Sequence, residues 1–72
     1  MKEAKHRLKE LRTKNGSKQV DVAHELHIDR SLVAKWETGR ARPSIEMLMP
    51  LAHMYRVSTE RLIEVILQGV SA

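Results

Sequence analysis

Seventy-two residues with 42% hydrophobic and 31% charged side chains and no cysteine describe one small domain with a thin core. Neither a disulfide nor a thiolate zinc site can hold such a chain, so helix packing must suffice, and a reducing cytoplasm is the expected setting. The net charge of +4 is uneven: residues 1–18 carry +5, residues 19–37 carry −2, residues 38–56 carry +2 and residues 57–72 carry −1. The N-terminus is basic but has no apolar export segment, and the longest apolar run, Met47 to Ala52, is far below the roughly 20 residues of a membrane span. A soluble, unprocessed protein with no membrane partner is expected.

The first helix is predicted over Lys2 to Lys14, with Ala4, Leu8 and Leu11 on its buried stripe and Asn15-Gly16 ending it. Asn15-Gly16-Ser17 also has the form of a glycosylation sequon, but without an export signal it reads as a turn. Gln19 to Glu37, QVDVAHELHIDRSLVAKWE, then reads as two short helices joined by a tight turn. Val22, Ala23 and Leu26 share one face of the second helix, and Val33 and Trp36 repeat at i, i+3 on the third. Asp29 is suited to cap the third helix, with Ile28 and Val33 at the N′ and N4 positions of a hydrophobic staple. Ala23 is small enough to let one helix cross close over the other, as a helix-turn-helix requires. With Val33 facing inward, a helical wheel puts Ser31, Ala34, Lys35 and Thr38 on the far side and Arg30 and Leu32 on its flanks.

Gly39 stops the third helix, and Arg40-Ala41-Arg42-Pro43 forms a short basic loop. Ser44 is placed to cap a fourth helix that carries Ile45, Leu48, Leu51 and Ala52 inward and that should kink or lose a bond at Pro50. Tyr55 to Val57 closes it. Ser58 caps the last helix, with Val57 stapled onto Leu62. There Leu62, Ile63 and Ile66 can share one face while Val65, Leu67 and Val70 lie partly elsewhere. That is more apolar surface than a domain this small covers, and it points to a partner chain.

Gln19, Ala23, Ile28, Val33, Trp36, Glu37 and Gly39 stand where the phage repressor and Cro type family, also called the xenobiotic-response-element type, has its pattern. From about Leu8 to Ile63 the chain resembles that family. The resemblance implies an all-α, five-helix lambda-repressor-like DNA-binding domain whose second and third helices form the helix-turn-helix. It also implies an ion pair between Arg12 and Glu37, and a source in a bacterium or a phage-like mobile element. Two positions depart from the family. Lys18 replaces the usual Ser or Thr cap, which leaves Ser17 to cap one residue earlier with Lys18 and Gln19 in the first turn. His27 stands where glycine is favoured for a left-handed backbone.

The expected function is sequence-specific binding of duplex DNA as a homodimer on a palindromic operator, repressing transcription by occluding a promoter. Arg30, Ser31, Ala34 and Lys35 are the candidate base contacts: the cations for guanine O6/N7, Ser31 either way, and the Ala34 methyl against thymine. Asp29 reads as a cap, with cytosine N4 as its alternative partner. Lys18, Gln19, Thr38, Arg40 and Arg42 are the candidate phosphate contacts. The candidate dimer interface is Tyr55, Leu62, Val65 and Ile66. His24 and His27 lack a further ligand set, so no metal is expected, and no Ser, His and Asp spacing marks a nucleophile with its base. No catalytic residue and no cofactor is expected. Two other classes remain: an antitoxin-like or accessory protein that binds another protein through the last helix, and an interaction module that keeps the fold without binding DNA. Co-purification with a partner favours the first, and absence of salt-sensitive DNA binding favours the second.

Overall fold

The computed structural model describes residues 7–69. Five helices follow in order: α1 (Arg7–Lys14), α2 (Gln19–Leu26), α3 (Arg30–Glu37), α4 (Ile45–Tyr55) and α5 (Thr59–Gly69). The earlier start expected for α1, with Lys2 and Ala4, lies outside the described residues, as does Val70. Helices of eight residues, the length of α1, α2 and α3, do not hold in isolation, where about 12–15 residues is already marginal. Their ends and their packing therefore have to hold them.

The ends are made in one way four times over. Gly16, His27, Gly39 and Arg56 all have left-handed backbones, with φ of 74°, 59°, 79° and 58°. At each, the next N–H reaches back five residues: Ser17 to the Arg12 carbonyl at 3.2 Å, Ile28 to Ala23 at 3.0 Å, Arg40 to Lys35 at 2.9 Å and Val57 to Ala52 at 3.1 Å. The left-handed residue itself bonds three back, which completes the Schellman motif. His27 is thus left-handed as its place in the turn requires, and Arg56 does the same at the end of α4.

The starts are less uniform. Asp29 caps α3 by accepting the Ser31 N–H at 3.0 Å, and Ser58 caps α5 by accepting the Arg61 N–H at 3.0 Å. Ser17 does not cap α2. Lys18 takes that position with an extended backbone, and the Asp21 carboxylate accepts the Lys18 N–H at 2.8 Å, the half of a capping box that a lysine permits. Ser44 stands at the cap position of α4, but its hydroxyl makes no cap bond. Glu46 in that first turn is held below the usual carboxylate range, first by its own backbone N–H and then by the Ser44 hydroxyl. Proline 50 sits inside α4 on its exposed side, and the helix continues through it.

One core joins all five helices: Leu8 of α1, Val22, Ala23 and Leu26 of α2, Val33 and Trp36 of α3, Leu51, Ala52 and Tyr55 of α4, and Leu62, Val65 and Ile66 of α5. Trp36 is buried with its Nε1 unpaired among the described residues. Burying an indole of about 150–250 Å² is worth about 4–6 kcal/mol at roughly 25 cal/mol/Å². An orphaned donor costs about 1–3 kcal/mol, so burial wins. Ile45, expected inward, is 83% exposed. It is the first residue of α4, six positions before Leu51, the first residue of that helix to be buried.

A left-handed backbone costs a residue with a Cβ about 1–2 kcal/mol, partly offset by glycine's greater unfolded-state freedom. His27→Gly and Arg56→Gly should therefore each stabilise the domain by about 0.5–1 kcal/mol, and thermal melts should show midpoints a few degrees higher. Gly16→Ala should do the reverse, since a Cβ there meets nothing within 4 Å and only the backbone cost remains. Three unshifted midpoints would count against this account of the helix ends.

Candidate nucleic-acid interface

The outward face of α3 follows from which of its residues the core takes. Val33, Trp36 and Glu37 are buried, which turns Arg30, Ser31, Lys35 and Thr38 to solvent and leaves Ala34 half-buried between them. At the N-terminal end the Asp29 carboxylate accepts from both the Ser31 N–H and the Ser31 hydroxyl. The hydroxyl first, and then the N–H, hold that carboxyl below its ordinary value. Asp29 is therefore occupied as a cap, and Ser31 keeps oxygen lone pairs to accept with. At the other end the Schellman turn folds Arg40 back, so that Ala34, Lys35, Thr38 and Arg40 line one shallow open concavity.

Beneath this face lies a polar network. The Arg12 Nε donates to Glu37 Oε2 at 2.6 Å and its Nη2 to Oε1 at 3.2 Å, while Nη1 donates to the Ser17 carbonyl at 2.9 Å. Both partners are buried. The hydrogen bonds to Glu37 are the main reason that the Arg12 pKa is raised. The pair ties the end of α1 to the end of α3 and to the turn before α2. Gln19 adds a third member: its Nε2 donates to Glu37 Oε1 at 3.0 Å, and its Oε1 accepts from Arg30 Nη1 at 2.9 Å.

The other expected site residues fall into three places. Lys18 is exposed at the start of α2, beside the free N–H groups of a helix N-terminus. Gln19, expected on phosphate, has both ends of its amide engaged within the protein. Arg42 lines a different hollow from Arg40: with Pro43, Ile45, Leu48, Ile63, Ile66 and Leu67 it lines a mostly apolar groove between α4 and α5. Tyr55, Leu62, Val65 and Ile66, expected at a subunit interface, are buried in the domain's own core. Leu62, Val65 and Ile66 form the inward stripe of α5, so Ile63 at 37% and Leu67 at 51% are its large apolar residues left exposed. Asn15 has a role beyond its turn: its Nδ2 donates to the Leu11 and Tyr55 carbonyls at 2.8 and 2.9 Å, joining α1 to α4. Side-chain links over 40 and 11 residues, Asn15 to Tyr55 and Arg30 to Gln19, leave no trace in local periodicity.

Two short helices packed together with a buried alanine on the first, the second capped and with one face outward, are a helix-turn-helix, with α3 in the recognition position. The Helix-turn-helix family matches residues 8–62, and this chain belongs to it, with the xenobiotic-response-element type of domain. The chain is 38% identical over 58 residues to the SPbeta prophage-derived uncharacterized HTH-type transcriptional regulator YonR of Bacillus subtilis (strain 168), covering 81% of this chain and 54% of that protein. It is 35% identical over 57 residues to the HTH-type transcriptional regulator ImmR of the same strain, covering 79% of this chain and 45% of that protein. With the HTH-type transcriptional activator BcrR of Enterococcus faecalis the identity is 30% over 61 residues, 85% of this chain and 30% of that protein. The chain thus spans between about a third and a half of the length of these relatives. No solved structure matches it. Among the described residues no helix is long and apolar enough to cross a membrane, and no group of three or more His, Cys, Asp or Glu could hold a metal.

Removing one partner of a buried ion pair strands the other in a medium of low dielectric. Glu37→Ala should cost about 3–5 kcal/mol, since it leaves the Arg12 guanidinium desolvated and takes the acceptor from Gln19. Urea unfolding measures this directly, and a midpoint matching the wild type would mean that the pair contributes nothing.

Proposed function

We propose that this domain binds duplex DNA sequence-specifically through α3, as a homodimer, and regulates transcription, most simply by occluding a promoter. The observation that carries this reading is the outward face of α3, capped at Asp29 and continuous with Arg40 through Ala34, Lys35 and Thr38. It offers cationic, hydroxyl and methyl groups on one strip, which is the chemistry that major-groove edges match. Arg30 and Lys35 donate to guanine O6/N7, Ser31 accepts through its oxygen lone pairs, and the Ala34 methyl lies against a thymine methyl. Lys18, Thr38 and Arg40 hold phosphates on either side, and Arg42 holds one farther out. The names of the relatives agree with a role in transcription, although BcrR is named an activator. A reporter placed behind the selected operator separates occlusion from activation, because activation raises its output.

Selection of bound duplexes from a random pool tests the reading, with a palindromic consensus as the expected result. Lys35→Ala should then lose about 1–3 kcal/mol on that site and relax preference at one symmetric position. Arg40→Ala should weaken all duplexes alike and make the slope of log K against log salt shallower by about one unit. Uniform weakening by Lys35→Ala, or an unaltered salt slope for Arg40→Ala, would remove that residue from its role.

A homodimer is part of the proposal because one recognition helix covers few base pairs, whereas a two-fold pair reads half-sites about 34–36 Å apart. With the inward stripe of α5 used by the core, Ile45, Met49, Ile63 and Leu67 are the exposed apolar residues of α4 and α5 and are the proposed contact. Ile63→Lys with Leu67→Lys should yield a folded monomer by sedimentation, through like charges facing across the axis. Val65→Lys should instead unfold the domain, since Val65 is fully enclosed. A wild type that sediments as a monomer, free and on a palindromic duplex, argues against self-association.

A further inference from the structure

The groove between α4 and α5 has the make-up of a small-molecule site. Pro43 and Ile66 are buried along it, while Ile45, Ile63 and Leu67 stand exposed around it. Its volume is about 310 Å³, at the lower end of the roughly 300–1,000 Å³ that hold small ligands. A stable protein partner uses about 20–30 residues a side, far more than line this hollow. A second copy therefore lies across the groove and onto Met49 beyond it, covering the hollow rather than filling it. Arg42 is the one charged residue of the lining, and it is exposed. Among the described residues its guanidinium takes part in no ion pair. Glu46, beside Ile45 in the chain, does not occupy it, because that carboxylate is bonded to its own backbone N–H and to the Ser44 hydroxyl.

We propose that this groove binds a small apolar monocarboxylate, its tail between α4 and α5 and its carboxylate on Arg42, and that occupancy opposes self-association. An apolar channel with one cation at its side matches a ligand with one anionic end and an apolar body. The guanidinium presents two parallel N–H donors to a carboxylate, a contact that also fixes which end of the ligand lies outward. Each methylene that the groove takes from water tightens binding up to about fourfold. An exposed ion pair adds about two- to fivefold, so the tail supplies affinity and Arg42 supplies the choice of an acid over a neutral molecule. A second copy laid over the occupied groove would take the carboxylate and Arg42 out of water together, a cost that the empty groove does not carry. The opposition to self-association rests on the reading of Ile63 and Leu67 as the dimer contact, whereas binding itself does not.

The test titrates octanoate, and 1-octanol as its uncharged counterpart, into the full chain and follows isoleucine and leucine methyl groups by NMR. Saturable shifts should gather on Ile45, Ile63, Ile66 and Leu67 and leave Leu8 and Leu26 unmoved. Hexanoate, two methylenes shorter, should bind more weakly by up to about fifteenfold. Arg42→Met should weaken octanoate about two- to fivefold and leave 1-octanol unchanged. Shifts that never saturate, that spread to Leu8 and Leu26, or that respond equally to Arg42→Met with both ligands overturn the site. Sedimentation reads the second half of the proposal: saturating octanoate should lower the dimer fraction, and a dimer that persists with the groove occupied overturns the opposition. The two readings fail differently. A wild type that is monomeric without octanoate, yet shows the expected shifts, defeats the dimer and leaves the site standing, whereas a dimer with no octanoate shifts defeats only the site.

Discussion

The ion pair of Arg12 with Glu37 is the constraint on which the rest of the molecule depends. It places a cation from the end of α1 against an anion from the end of α3 in a site closed to water, with the Ser17 carbonyl and the Gln19 amide filling the remaining positions. Two charges brought out of water at this cost need not add net stability. What they do is exclude other arrangements: any rotation of α3 that moved Glu37 off Arg12 would leave both charges buried and unpaired. The face that α3 presents outward is thereby fixed from inside. Tyr55 lies near enough to feel the pair, and its hydroxyl is held far above its usual range, first by burial and then by the Glu37 charge.

Repeated left-handed helix ends supply the second constraint. Eight-residue helices have few internal hydrogen bonds, and each Schellman turn returns two to carbonyls that would otherwise lack partners. The same turns reverse the chain within a few residues, which is how five helices fit into 63 described residues around one core. They also place charged groups, since the turn at Gly39 is what brings Arg40 alongside Lys35.

Two concavities among the described residues differ in kind, and the difference follows from composition along the chain. The depression along α3 is lined by Ala34, Lys35, Thr38 and Arg40, with a cation at two of four positions. The groove between α4 and α5 is lined by Pro43, Ile45, Leu48, Ile63, Ile66 and Leu67, with Arg42 at its edge. A charged strip suits a polyanion, whereas an apolar groove gains from being covered by another apolar surface. One small domain thus carries two kinds of surface on different helices.

Much of this was legible in the chain itself. The spacing of Val22, Ala23, Leu26, Val33 and Trp36 gave two crossing helices with definite inward faces, because burial repeats with the helical period. Asp29, Ser58, Gly16 and Gly39 marked ends, because their chemistry acts within a few residues. Where several neighbours compete, local chemistry was not enough. Lys18 rather than Ser17 begins α2, since Asp21 three residues on could accept its N–H, and Ile45 is left outside because the fully buried residues of α4 begin only at Leu51. On α5 periodicity gave a surplus of apolar residues but not which of them the core would take. The answer, Leu62, Val65 and Ile66 in and Ile63 and Leu67 out, depends on where α1 and α4 pack against it. The bond from Arg30 to Gln19 belongs wholly to the tertiary structure, because only the packing of α3 against α2 brings side chains eleven residues apart to 2.9 Å.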